Sequence, residues 1–250
     1  FTRMLHNDMS ISTLIPAEPW LFGYYAGMGY VPVFKYSSTT FTASEVTIAD
    51  ETAVLNKIND YQEESYHYLN QKLRERPYCI QHTETDFRVI LADLQLGEGY
   101  VYTLKQGDKI TALAIVYPAG STWQAGEIVA ETPGMYPLLL QRICEQLNIP
   151  SIRVISPSET EPAPQVLGMA RIINAKTILQ RYAAEHPGLE MSIALTDPQI
   201  SANNGYYYLN NGKCMNSAKR LPGSHLALTV GELAEKILSP SNPYMSLMLN

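Results

Sequence analysis

The chain has 250 residues, of which 46% are hydrophobic and 17% charged, a balance ordinary for a globular protein and long enough for two or three modest domains. A net charge of -6, with 18 Lys and Arg that form no run, argues against a nucleic-acid partner, whose phosphates need clustered cations, and suits a small cationic molecule better. The three cysteines, Cys79, Cys144 and Cys214, fit neither a disulfide framework nor a zinc site, and no stretch approaches the roughly 18 apolar residues of a membrane span, so a cytoplasmic protein is expected.

The chain opens on Phe1, in FTRML, and reads as the remainder of a longer polypeptide, because a natural reading frame would supply a methionine first. A short helical stretch, TRMLHNDM, leads to an apolar strand ISTLI, a turn with Pro16 and Pro19, a short helix through Tyr24 and Tyr25, and a strand VPVFKY after Gly29. From Asp50 a long helix is expected, with Val54, Leu55, Ile58, Tyr61, Tyr66, Leu69 and Leu73 near the helical period and a stop before Pro77. Strands follow at Phe87 to Leu94, Tyr100 to Lys105 and Ile110 to Tyr117, read as an antiparallel meander with a turn at Gln106-Gly107-Asp108. After a loop containing Trp123 come a strand GEIVAE, a helix from Pro133 to Leu147 and a strand SIRVIS.

Pro157 to Pro164, PSETEPAP, reads as a linker, since three prolines and two acids in eight positions cannot bury a packed element. Beyond it lie a helix NAKTILQRYAAEH closed by Pro187, a strand MSIALTD, hairpin signals at Asn203-Asn204-Gly205 and Asn210-Asn211-Gly212, and a last helix TVGELAEKIL opened by a Thr229/Glu232 capping box. The tail is SPSNPYMSLMLN.

The segment LIPAEPWLFGYYAGMGY, ending at Tyr30, resembles the FYxxxGF signature near the end of a GNAT acetyltransferase domain. That resemblance implies that Tyr25 lies beside the acetyl-CoA sulfur and protonates the departing thiolate, since a phenol keeps its proton at neutral pH. The other reading of Tyr24 and Tyr25 is as ordinary amphipathic-helix residues in a chain with 17 tyrosines. GNAT enzymes hold the coenzyme diphosphate on an R/Q-x-x-G-x-G/A loop after a strand, at a helix N-terminus. The one literal match, Gln165-Val-Leu-Gly168-Met-Ala170, follows the proline-rich linker instead, so it is read as the entry to the third domain and the cofactor-binding residues stay unassigned. Glu18 either helps attract an amine or is a helix-start charge.

The order of the whole chain is similar to that of the enhanced intracellular survival family of bacterial acetyltransferases: a GNAT ending, a second GNAT-like domain and a sterol-carrier-protein-like domain. The third is carried by ARIINAKTIL, the strands around Met191 and Tyr207, and HLALTVGELAEKIL. The resemblance implies a mixed α/β and α+β protein divided at 1-44, 45-157 and 165-250. It implies a homo-oligomer that uses acetyl-CoA as cosubstrate and acetylates a primary amine of a small cationic molecule by direct attack. It also gives the amine's base as the C-terminal carboxylate, here that of Asn250, although SLMLN reads equally as a frayed apolar tail. This stretch alone is expected to be inactive, because the diphosphate loop lies outside it.

Against this stands a non-enzymatic module, in which the sterol-carrier-like domain holds an apolar ligand or the last two domains build an oligomer interface. The five histidines show no metal-binding spacing, and no serine sits in a G-x-S-x-G elbow, so metal and hydrolase chemistry are not expected.

Overall fold

The computed structural model describes residues 1-45, 50, 52-76, 78-158 and 163-245. In chain order these form α1 (Thr2–His6), β1 (Ile11–Leu14), α2 (Leu21–Ala26), β2 (Val31–Thr42), β3 (Ala53–Ile58) and α3 (Glu63–Arg74). Next come α4 (Glu84–Leu96), β4 (Tyr100–Gln106), β5 (Lys109–Ala119), β6 (Thr122–Ala130), α5 (Met135–Leu147) and β7 (Ser151–Pro157). The last are β8 (Gln165–Ile172), α6 (Ala175–Glu185), β9 (Met191–Thr196), β10 (Gly205–Asn210), β11 (Lys213–Ser217), β12 (Leu226–Thr229) and α7 (Val230–Leu238).

Two compact units result. One holds Phe1–Lys35 and Val166–Pro243, the other Tyr36–Gln165 with Tyr244 and Met245. The segments 1-44 and 165-250, expected as separate domains, thus contribute to one unit. No helix among the described residues is long and apolar enough to cross a membrane.

In the first unit β8 pairs antiparallel with β1, in the register Ile11 opposite Ile172 and Leu14 opposite Met169. A four-stranded sheet in the order β11-β10-β9-β12 follows, with β12 parallel to β9 and the other pairs antiparallel. The β10-β11 hairpin turns at Asn211 and Gly212, both at positive φ, as the Asn-Gly pair leads one to expect. In α7 the buried Val230, Leu233, Ala234, Ile237 and Leu238 recur at helical spacing. Its predicted capping box is present: the Glu232 amide donates to Thr229 Oγ1 (3.3 Å) and the Thr229 amide to Glu232 Oε2 (2.7 Å). Thr229→Ala should therefore destabilise this helix by about 1 kcal/mol, read as faster amide exchange at the start of α7; unchanged exchange would remove the cap from the account.

In the second unit the strands run β2-β7-β6-β5-β4-β3. β5 is buried on both faces, which is why Ala112 to Tyr117 form a continuous apolar run. Ala112, Ala114 and Val116 face the core that α5 completes, while Leu113, Ile115 and Tyr117 face the core under α3 and α4.

Three expectations are corrected here. The helix expected from Asp50 is β3 followed by a shorter α3: Val54, Leu55 and Ile58 pair with β4, and only Glu63–Arg74 is helical, burying Tyr68, Leu69 and Leu73. FRVILADL is not a strand but the body of α4. Its buried Phe87, Ile90, Leu91 and Leu94 are spaced i, i+3, i+4, i+7, and Thr83 with Asp86 forms a capping box before them. Trp123 lies in β6, opposite Pro118, not in a loop; its ring stacks on Tyr100 at 6.0 Å. Of the predicted linker Pro157 to Pro164, residues 159-162 lie outside the described residues.

Candidate functional site

The helix carrying Tyr25 is a six-residue element with no side-chain cap and no fully buried residue, so its position depends on the turn that follows. The Tyr25 carbonyl accepts from the amides of Met28 (2.9 Å) and Tyr30 (3.2 Å), and Gly29 donates to Ala26 (2.9 Å). Gly29 has φ +84°, and a Cβ there would run into the Arg171 guanidinium and come within 2.8 Å of Val230, so glycine is required on both counts.

The half-buried Tyr25 ring is flanked edge-on by Tyr24 at 5.3 Å and Tyr30 at 5.7 Å. Among the described residues its hydroxyl has no hydrogen-bonding partner. That of Tyr30, by contrast, is held by Ser12 Oγ at 2.7 Å. Glu18 is exposed in the preceding turn, where its backbone carbonyl accepts from the Leu21 amide. The terminal Asn250 lies outside the described residues.

Behind the turn is a buried polar cluster that sequence reading missed. Arg171, on β8 opposite Ser12, donates through Nη1 to the Met28 carbonyl and through Nη2 to both Asp197 oxygens, at 2.7 and 2.8 Å. Both side chains are 0% exposed. Asp197 also accepts from Asn203 Nδ2 (2.9 Å) and from the amides of Gln199 (2.9 Å) and Ile200 (3.1 Å). The signal was available: an arginine within the apolar run Leu167 to Ile173 must find a counter-charge if that run is buried.

Burial alone would raise the Asp197 carboxyl, but the hydrogen bonds from Asn203, Arg171 and the two amides outweigh it and hold it below its ordinary value of 3.8. With the folded pKa depressed, the stabilisation is complete above the unfolded pKa, near 4, and is lost as pH falls through the lower folded one. Amide protection around β8 and β9 should therefore decline on acidification below about pH 4, and Asp197→Asn should remove that part of the acid dependence; an identical acid profile in the variant would contradict it.

Two places have some feature of a diphosphate cradle. Gln165-Val-Leu-Gly168-Met-Ala170 is the strand β8, with Met169 and Ala170 paired to β1 and Gly168 buried, so it offers no open amide loop at a helix start. In the second unit the parallel strands β6 and β7 pair only at Gln124 with Arg153 and Ala125 with Val154. A cleft of about 660 Å³, lined by residues of both strand ends and of α3, lies beside the loop into α5. That loop, Glu131-Thr132-Pro133-Gly134, has the strand-to-helix setting, but Pro133 lacks an amide hydrogen and Glu131 brings a carboxylate.

The cations of this cleft are already neutralised. Lys72 is 3.1 Å from Glu75 and 3.5 Å from Glu131, and Arg76 is 2.8 Å from the buried Glu127 while donating to the Ile128 carbonyl at 3.0 Å. Neither place fits a coenzyme diphosphate. Burial pushes the thiols of Cys79, Cys144 and Cys214 up to about 11, so none is a thiolate nucleophile at neutral pH. Among the described residues no group of three or more His, Cys, Asp or Glu is placed to hold a metal ion.

No protein-family model matches the chain, and no curated protein matches it. Its fold resembles that of solved GNAT N-acetyltransferases. One GCN5-related N-acetyltransferase, from Anabaena variabilis, is similar with a TM-score of 0.68 and 16% identity, over 98% of this chain and 74% of that one. A second, from Kribbella flavida, gives 0.66 and 15%, over 98% and 71%. Eis1 from Mycobacterium abscessus gives 0.65 and 12%, over 95% of this chain and 65% of that one. At such identities the likeness is one of fold.

Proposed function

We propose that this chain belongs to an acetyl-CoA-dependent N-acetyltransferase of the enhanced intracellular survival type, in which Tyr25 is the general acid. The observation that carries the proposal is the Tyr25 hydroxyl, left without a hydrogen-bonding partner among the described residues on a short helix whose following turn is fixed from behind. A primary amine of a small cationic substrate attacks the thioester carbonyl directly. As the tetrahedral adduct collapses the C–S bond breaks, its electron pair goes to sulfur, and the Tyr25 proton follows to give the free thiol. The amine proton passes to the C-terminal carboxylate of Asn250 and from there to solvent, and solvent returns a proton to the tyrosinate, so the products are amide and thiol. Direct attack rather than an acetyl-cysteine intermediate is favoured by the raised thiol pKa values.

The sterol-carrier-like reading of the sheet β9–β12 with α6 and α7, and a homo-oligomeric state, belong to the same proposal. So does the inactivity of this 250-residue stretch by itself, because neither β8 nor the loop into α5 fits a diphosphate. The same misfit favours the rival reading, a non-enzymatic binding or oligomerisation module. Thiol release from acetyl-CoA by the full-length protein, with a panel of amines, separates the two. Release that depends on Tyr25 supports the enzyme; no release from the wild type with any amine supports the module.

A further inference from the structure

We infer that Arg171, with Asp197 as its counter-charge, is a positioning residue for Tyr25: it anchors the Met28-Gly29 turn that fixes the tyrosine's short helix. The inference rests on the general-acid reading of Tyr25 and adds to it a distant control, since Arg171 lies 143 residues from Met28 in sequence.

Nothing within α2 can do this work. The helix has six residues, no capping side chain and no fully buried residue, so its own hydrogen bonds cannot hold Tyr25 to one position. The turn after it is locked onto the Tyr25 carbonyl by the amides of Met28 and Tyr30. The next attachment outward is the Met28 carbonyl, which accepts from Arg171 Nη1. Arg171 is in turn immobile: it is fully buried, it sits on a paired strand, and Asp197 grips its other terminal nitrogen while four further hydrogen bonds hold Asp197 and its partner Asn203. A Cβ at Gly29 would strike the guanidinium, so the turn and the arginine approach each other closely at that residue. Lysine could keep the charge pairing with Asp197 but has no planar fork with which to reach a second acceptor in another direction.

A donor that must meet a departing sulfur loses its effect with small displacements, so loosening this anchor should show in the chemical step and not in substrate binding. In the full-length protein Arg171→Lys should lower kcat for amine acetylation by about 10- to 100-fold with KM little changed. The defect should shrink with acetyl thioesters of more acidic thiols, which need less help in leaving. Combined with Tyr25→Phe it should add nothing, because the anchored group is already gone. Arg171→Met with Asp197→Asn, which leaves no buried charge unpaired, guards against misfolding and should show the same kinetic pattern. Fluorotyrosine placed at position 25 should give one ¹⁹F resonance in the parent protein and broadened or multiple resonances in both variants.

Additive defects, a KM effect alone, or a single unshifted resonance in the variants would overturn the positioning role while leaving Tyr25 as the acid. An unchanged rate in Tyr25→Phe itself would instead remove the general-acid reading, and this inference with it.

Discussion

Tyr25→Phe in the full-length protein is expected to lower kcat for amine acetylation by about 10²- to 10⁴-fold, the usual worth of a positioned proton donor. The substitution removes one oxygen and leaves the ring, so the edge-on contacts with Tyr24 and Tyr30 persist and the short helix keeps its packing. Melting temperature should hence stay close to that of the parent, which separates a chemical loss from a structural one. KM for acetyl-CoA should change little, because the hydroxyl acts on sulfur only as the C–S bond breaks. Acetyl thioesters of more acidic thiols should recover most of the lost rate. If Tyr25→Phe acetylates amines at the parent rate, the proton reaches the sulfur from elsewhere, and the short helix with its Met28-Gly29 turn is a structural remnant of the fold.

Much of the architecture around this helix and turn could be read from residue pattern, and the exceptions have physical causes. The α7 cap and the Asn211-Gly212 hairpin were legible because their signals are local: a hydroxyl and a carboxylate three residues apart, and two residues that tolerate positive φ. The segments misread were those where apolar residues satisfy two periods at once. In α4 the apolar run FRVILADL fits a strand as well as a helix, yet Val89 is exposed while Phe87, Ile90, Leu91 and Leu94 form the buried stripe. In β3 only the pairing with β4 decides, and pairing partners some fifty residues away leave no mark on a local pattern. Tyr25 could be proposed from its motif, but what holds it could not. Arg171 and Asp197 are 26 residues apart and Arg171 and Met28 are 143 apart, and a single sequence shows only that a buried charge will need some partner.

That partnership leads to the second large effect, on stability. Asp197→Ala should destabilise the unit that contains it by about 3–5 kcal/mol, the cost of leaving a buried charge without its partner. The loss has identifiable parts. The Arg171 guanidinium, fully buried, keeps its charge but loses the carboxylate that accepts from Nη2. The amides of Gln199 and Ile200 and the side-chain amide of Asn203 each lose an acceptor in a place that water reaches poorly. Arg171→Met with Asp197→Asn should be less destabilised than Asp197→Ala although it changes two residues, because no charge is left behind and Asn can still accept from the two backbone amides. Hydrogen exchange is the suitable measurement, since it assigns the loss to β8, β9 and α7 and should leave β4 to β6 of the other unit protected. A double variant less stable than the single one would mean that the pair is more than a neutralised charge, and that its hydrogen bonds rather than its electrostatics hold the turn behind Tyr25 in place.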